Sequence, residues 1–504
     1  MSERRPIVEF LATADRRRIA VVLGALSALT AALLGLSLTL IGPIYTAILL
    51  AVLAGGLWMI AGVENALYCT IIIALLLPYG TLPFKVVLTP SFLDITMMTA
   101  YALYIMQWLA GERRKLATTP VHPALILFML LTLFAFVFGL NNAGLTSNRL
   151  RQMVELLLAM GLVIMLVDVM RTQEQIERFV RIAIVAAVVA SIIGIVLWVL
   201  PATTTESILT RLAPIGYPSG GVINYIEDNP ALSERATSTS VDPNSFGGVL
   251  VVITALTAAL LTAKQSKVAP RLALLGAFGI MTVCLGLTFS RGAMLALAAA
   301  ILVIALIGDR RLLWILLVGG ALVVLLPITQ DYVQRFAQGF AGQDLATKMR
   351  FGEYKDAFTL IFRYPLIGVG FTGTPDIDIY LGFSNLYLTI TSNMGLVGLA
   401  MFLILIGAVF SYTWPARRLL ASYSAEMGLW LGLNAGLITI LVSGMFDHYF
   451  FNLEFFHAST VLWTVVGLIL ATTRITREAQ AQEAAIPASM RASGGRALNP
   501  QTSK

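Results

Sequence analysis

Charge is the scarcest property of this chain. Asp, Glu, Lys and Arg make up 12% of its 504 residues against 58% hydrophobic residues, about half the charged share of a soluble globular domain, and a water-soluble fold is excluded. Cysteine is nearly absent too: Cys69 and Cys284 both fall inside apolar runs. That excludes an exposed disulfide framework or a cysteine metal cluster and leaves packing as their role. The three histidines, His122, His448 and His457, are too dispersed to read as a metal triad or as part of a Ser-His-Asp set. No metal and no cofactor is expected.

Apolar runs of membrane-spanning length fill the sequence instead. About 20 mostly apolar residues cross a bilayer as a helix, and such runs lie near 19-41, 44-63, 66-82, 92-110, 122-140, 150-170, 179-200, 245-263, 270-289, 292-308, 311-328, 385-412, 426-446 and 455-474. The reading is an all-α polytopic membrane protein with about 12 to 14 transmembrane helices, since close pairs can merge. Residues 1-18 are polar and basic, with Arg16-Arg17-Arg18 abutting a run much longer than a signal peptide's apolar region, and read as an uncleaved cytoplasmic N-terminus. An even number of spans then predicts that every second loop is basic. Arg113-Arg114-Lys115, Arg171 to Arg181, Lys264 to Arg271, Asp309-Arg310-Arg311, Arg417-Arg418 and Arg474 to Arg477 all fall on the same side. This placement accounts for the net charge of +7, so nucleic acid is not an expected partner.

The opposite side holds two long extracytoplasmic loops, about 201-244 and 329-384, longer than plain turns and therefore functional candidates. The membrane domain is read as 19-477 and residues 478-504, rich in Ala, Ser, Gly and Gln, as a disordered cytoplasmic tail. Arg149, Arg151 and Arg291 are the basic residues on the outer side of the helical part. An arginine held there against its topological preference points to a carboxylate or phosphate partner, with snorkelling into headgroups as the bland alternative for Arg149 and Arg151.

Several constellations face outward. Asp242-Pro243-Asn244-Ser245 supplies a turn and a helix N-cap before the run at 245-263, which leaves Arg235 unexplained by local structure. Ser290-Arg291-Gly292-Ala293 places an ionisable residue at a span boundary. In the second loop Leu345, Met349, Ala357, Leu360 and Ile361 share a helical face, with Lys348, Glu353 and Asp356 elsewhere, as in an amphipathic helix at a membrane surface. Arg350, Glu353 and Arg363 on it are candidate substrate contacts. Gly368-Val369-Gly370-Phe371-Thr372-Gly373 matches G-x-G-x-x-G formally, but no βαβ unit surrounds it, and its glycines read as tight turns over a site. Ser384-Asn385 precedes Gly395-Leu396-Val397-Gly398. His448 beside Asp447 is the histidine positioned to act as an outward-facing acid or base.

In the order and sidedness of these motifs the chain resembles the O-antigen ligase and O-antigen or exopolysaccharide polymerase family of bacterial inner-membrane glycosyltransferases. Arg235 ahead of Asp242-Pro243-Asn244, Ser290-Arg291-Gly292-Ala293, Arg350-Phe351 leading to Pro365 through Gly370, and Ser384-Asn385 with Gly395 and Gly398 carry the likeness, over roughly residues 120 to 475. The resemblance implies a GT-C-like helical architecture and an inner-membrane enzyme with both termini cytoplasmic. It implies a glycan donor on undecaprenyl diphosphate, used on the periplasmic side by a metal-independent inverting transfer to a glycan or lipid acceptor, with membrane lipids and a chain-length regulator as partners. Arg235 and Arg291 match the diphosphate-binding arginines, with Arg350 and Asn385 as further substrate contacts.

One departure stands out. The ligase pattern opens its last motif with histidine where this chain has Ser384, and an unassisted serine cannot accept a proton near neutral pH. His448, Glu353 or Asp376 is then the candidate base, or Ser384 only orients substrate, which favours a polymerase over a strict ligase. Two competing classes remain. A transporter of an anion or lipid-linked saccharide predicts ionisable residues at mid-span and discontinuous helices, and a non-catalytic polysaccharide-assembly subunit is consistent with Ser384.

Overall fold

The computed structural model describes residues 16–82, 89–325, 330–342, 345–374 and 383–485. Helices α1 (Arg16–Ile60), α2 (Val63–Leu76), α3 (Phe92–Leu109), α4 (His122–Gly139), α5 (Ser147–Val169) and α6 (Gln173–Val199) form the first half. The short α7 (Ala202–Thr210) and a two-residue hairpin, β1 (Asn224–Tyr225) with β2 (Glu234–Arg235), fill the first long connection. Then come α8 (Pro243–Leu260), α9 (Arg271–Leu287), α10 (Arg291–Ile307), α11 (Leu312–Leu325), α12 (Gln330–Phe340), α13 (Leu345–Arg363), α14 (Leu386–Thr413), α15 (Ala425–Ser443) and α16 (Phe456–Ala485). The protein is an all-α polytopic membrane protein. Seven of these helices are long and apolar enough to cross a membrane, and several shorter apolar helices stand beside them.

The apolar runs read at 19-41 and 44-63 are one continuous stretch of helix broken at Gly42, which is left-handed (φ 80°) just before Pro43. The break sits where a proline removes a backbone donor. The long connections are not loops throughout: α7 and the hairpin occupy the first, and α12 and α13 occupy most of the second. The last helix runs to Ala485, past Glu478 where the sequence places the start of a disordered tail.

Two helices form the axis of the molecule. Within their spans α8 and α16 are 94% buried, as expected of helices that are apolar on every face and enclosed by others. α16 packs chiefly along α5, and α15 along α8. Outer helices instead show apolar residues, such as Trp314, Leu317 and Leu325 of α11, the pattern of a surface solvated by lipid.

The basic loops meet at one end of this bundle. Arg474 of α16 donates to the Met170 carbonyl at 2.8 Å, Arg171 donates to the Lys115 carbonyl, Arg181 to Lys267 and Val268, and Lys267 pairs with Glu426 at 2.7 Å. His457, near the start of the same α16, stacks edge-on with Tyr79 at 5.2 Å. Seventeen residues separate His457 from Arg474, roughly 26 Å along a helix rising about 1.5 Å per residue. That distance is close to the hydrocarbon thickness of a bilayer.

Candidate functional site

The end of the bundle away from the basic loops is built around the turn between α9 and α10. Phe289 in that turn holds a left-handed backbone, φ 52°, a conformation costly for a bulky residue and kept only when its surroundings impose it. The turn delivers Arg291 as the first residue of α10, where the positive end of the helix dipole adds to its charge. Small residues around it have specific neighbours. A Cβ on Gly292 would lie 2.8 Å from Cβ of Phe446, and one on Gly247 would lie 3.1 Å from Cβ of Ser290. The Ser-Arg-Gly-Ala stretch is therefore a packing solution that brings α8, α10 and the 444–446 turn together behind the arginine.

A cavity of about 190 Å³ opens in front of Arg291, lined also by Leu295, Gly339, Thr347, Arg350, Phe351, Tyr354 and Phe446. Arg291 and Arg350 thus share one recess. At Gly339 of α12 a side chain would fall directly on the Arg291 guanidinium, so glycine there lets the chain lie against the arginine. Nothing in the sequence pattern singled out Gly339 or Tyr354, because their partners lie on other elements.

Arg350 leads from the cavity to the candidate base. Its guanidinium lies 3.8 Å from Asp447 Oδ2, and Asp447 Oδ1 lies 3.5 Å from His448 Nδ1 while accepting the His448 backbone N–H at 3.2 Å. Nδ1 makes no hydrogen bond at this distance, so the carboxylate lies beside the ring as a neighbouring charge. Phe455 meets the His448 ring edge-on at 5.7 Å and limits its rotation. Burial pushes the Asp447 carboxyl above the ordinary aspartate range, while His448 and Arg350 pull in the opposite direction. Desolvation prevails because the carboxylate loses more to burial than its loosely spaced neighbours restore.

The other candidates hold the walls in place. Glu353 accepts the Ser384 backbone N–H at 2.7 Å, and the Tyr354 hydroxyl reaches the carbonyls of Ser384 and Met445 at 3.4 and 3.5 Å. Asn385 caps α14, its Oδ1 accepting from Tyr387 and Leu388, and its Nδ2 donates to the Met445 carbonyl at 2.9 Å. The expected substrate contact at Asn385 is thus occupied by backbone on both sides of the amide. Asp376 lies outside the described residues.

The glycine-rich segment after α13 is a docking strip. α14 is broken at Gly395 (φ 68°, ψ −174°), and the strip takes up the backbone groups freed by the break. Val369 and Gly370 donate to the carbonyls of Ser392 and Asn393 at 2.8 and 2.9 Å, while Leu396 and Val397 donate to those of Pro365 and Leu366 at 2.7 and 3.3 Å. At Gly395 a Cβ would strike the Leu366 carbonyl, and at Gly370 it would strike Gly139 of α4. These glycines serve close backbone approach.

The other residues singled out in the sequence take up varied positions. Met349, expected on the apolar face of α13, is 60% exposed, whereas Ala357 and Leu360 are buried; Phe383 and Val369 join them in a small core. The side chain of Leu345 lies outside the described residues. Arg235 does not line the cavity with Arg291. Its Nε donates to the Thr288 carbonyl at 2.9 Å and its Nη2 to Asn244 Oδ1 at 2.6 Å, so it braces the turn that presents Arg291. Arg151 finds its carboxylate within the protein, Glu155 at 3.1 Å. Asp242 caps α8 through the Ser245 N–H at 2.6 Å, as its sequence context predicts. His122 accepts the Thr119 N–H at 3.1 Å, and His457 is buried within α16.

No curated protein matches the chain. The O-antigen ligase family model matches residues 276–403, a narrower stretch than the likeness read from motifs; it contains Arg291, Arg350, Glu353, Ser384 and Asn385 but neither Arg235 nor His448. Over residues 276–403 the chain is thus similar to the O-antigen ligase family, and the arginines inside that stretch, Arg291 and Arg350, converge on one recess.

Proposed function

We propose that the protein transfers or polymerises glycan units from an undecaprenyl-diphosphate carrier on the periplasmic face of the inner membrane, during assembly of a cell-surface polysaccharide. The family match supports an O-antigen ligase or polymerase type of function in polysaccharide assembly. The observation that carries the finer reading is the convergence of Arg291 and Arg350 on one recess, with Asp447 and His448 reached through Arg350. Two guanidiniums in one recess, that of Arg291 at the N-terminus of α10, form a built-in receptor for a diphosphate. At about 190 Å³ the recess is smaller than the roughly 300–1,000 Å³ of pockets that enclose whole ligands. It suits the charged head of a lipid carrier, the glycan extending outward. The basic loops at the far end of the bundle support a periplasmic location for this end.

In the reaction, the acceptor hydroxyl oxygen forms a bond to the anomeric carbon as the bond from that carbon to the diphosphate oxygen breaks, with inversion. His448 Nε2 takes the hydroxyl proton, and Asp447 steadies the resulting imidazolium. The electron pair of the broken bond leaves on the diphosphate, where Arg291 and Arg350 stabilise the growing charge. Arg235 acts by holding the Thr288 turn, and Glu353 by anchoring Ser384. Discontinuous α14 is a feature a transporter would share, but the four backbone groups freed at its break are paired with the docking strip and none of them is left to bind a solute.

Arg291→Ala, expressed at the wild-type level in cells lacking the native gene, tests this reading. Loss of the surface polysaccharide is expected, with a decrease on the order of 10²–10³ in transfer rate when a fixed donor to a developing oxyanion is removed. Normal polysaccharide in that variant would overturn it.

A further inference from the structure

The end of the bundle away from the candidate catalytic recess holds a second concavity, of about 300 Å³, lined by Gln107, Glu112, Arg113, Arg114, Lys115 and Arg171. Beneath it lies Asp168, with a fully buried side chain. One Asp168 oxygen accepts from Arg113 Nη1 and from the Tyr104 hydroxyl, each at 3.0 Å, and the other accepts from the Ala117 N–H at 2.8 Å and from Arg171. Gln107 Oε1 accepts from Arg113 Nε at 2.8 Å. A single buried carboxylate therefore fixes two guanidiniums side by side at the floor of the recess. Arg114 and Lys115 stand exposed at its rim, and no described residue forms an ion pair with either side chain. With Glu112 as the other acid, four cations face two carboxylates, a formal excess of two positive charges.

We infer that this recess binds a phosphate group, presented by the headgroup of an anionic membrane lipid. Topological sorting explains why lysine and arginine lie at this end, but it asks only for charge. It does not ask for a buried aspartate that pre-organises two guanidiniums over a concave floor, the arrangement suited to a tetrahedral oxyanion. The lipid source follows from the surroundings: Met106, Leu109 and Leu116 are 62%, 83% and 43% exposed beside the recess, an apolar flank along which acyl chains can lie while the phosphate sits among the arginines. The inference is independent of the catalytic reading, because the two recesses lie at opposite ends of α16.

Native mass spectrometry of the detergent-purified full chain, titrated with phosphatidylglycerol, phosphatidylcholine or inorganic phosphate, tests it. Preferential retention of phosphatidylglycerol is expected. The double variant Arg114→Gln/Lys115→Gln leaves the floor intact and should bind about 30-fold more weakly, at about 1 kcal/mol for each basic residue near a lipid surface. Glu112→Gln should bind more tightly, a gain that misfolding cannot produce. Competition by millimolar inorganic phosphate would identify a free anion as the source of the same phosphate chemistry, and its absence would identify the lipid. Equal retention of the two lipids with no phosphate binding, or affinities unchanged in both variants, would overturn the inference.

Discussion

Replacing Gly395 by alanine is the sharpest test of how the wall of the candidate catalytic recess is held. The backbone there (φ 68°, ψ −174°) belongs to a region open essentially to glycine alone, and occupying it with another residue costs about 1–3 kcal/mol. The new methyl group would also strike the Leu366 carbonyl, which is backbone and cannot swing aside. Relief requires the docking strip to withdraw from the break in α14. If two of its four backbone hydrogen bonds are lost at about 0.5–1.5 kcal/mol each, the total comes to about 2–6 kcal/mol. Thermal unfolding of the detergent-purified protein should show a transition lowered by several degrees and a reduced folded yield. Gly407→Ala, in the same helix with open space around its Cβ position, should be neutral or slightly stabilising. A Gly395→Ala transition within about 1 °C of wild type would refute the reasoning.

Other perturbations probe the chemistry. Gly339→Ala should displace the Arg291 guanidinium and reduce glycan transfer while leaving thermal stability nearly unchanged; an unchanged rate would remove Gly339 from the account. Because the Asp447 carboxyl titrates above the ordinary aspartate range, its ionised form is lost as pH falls through that raised value. kcat/KM should accordingly fall as Asp447 is protonated, at a pH above that expected of an unshifted aspartate, and Asp447→Asn should remove that component of the acid limb and slow transfer; an unaltered profile would exclude Asp447 as the group that steadies the imidazolium. Asn244→Ala removes one of the acceptors that hold Arg235. It should lower transfer through misplacement of the Thr288 turn, which a response as large as that of Arg291→Ala would contradict.

Much of the fold was legible in the sequence because bilayer thickness imposes a length and an apolar composition on every span. The sidedness of the basic loops was legible for a similar reason, and the structure brings Arg171, Arg181, Lys267 and Arg474 to one end. The N-cap at Asp242 is a local interaction and could be read directly. What could not be read were pairings between distant segments. Arg350 and Asp447 share no local pattern, and nothing near Gly339 announces Arg291. Arg235 and Asn385 occupy motif positions, and what the sequence could not show is that polar atoms of both also bind neighbouring turns and backbone. Met349 fits the helical period of the apolar face, but the period could not show that the neighbouring core, formed by Ala357, Leu360, Val369 and Phe383, lies toward the far end of α13.

The most direct measurement is single-turnover release of polyprenyl diphosphate by the purified protein, supplied with a lipid-linked oligosaccharide donor and an acceptor glycan. The account predicts release coupled to glycan transfer in the wild type. It predicts a rate lower by about 10²–10⁴ in His448→Gln, as for loss of a general base, and loss of both signals in Arg291→Ala. Wild-type release in both variants, or movement of the donor across a vesicle membrane with its diphosphate bond intact, would contradict it.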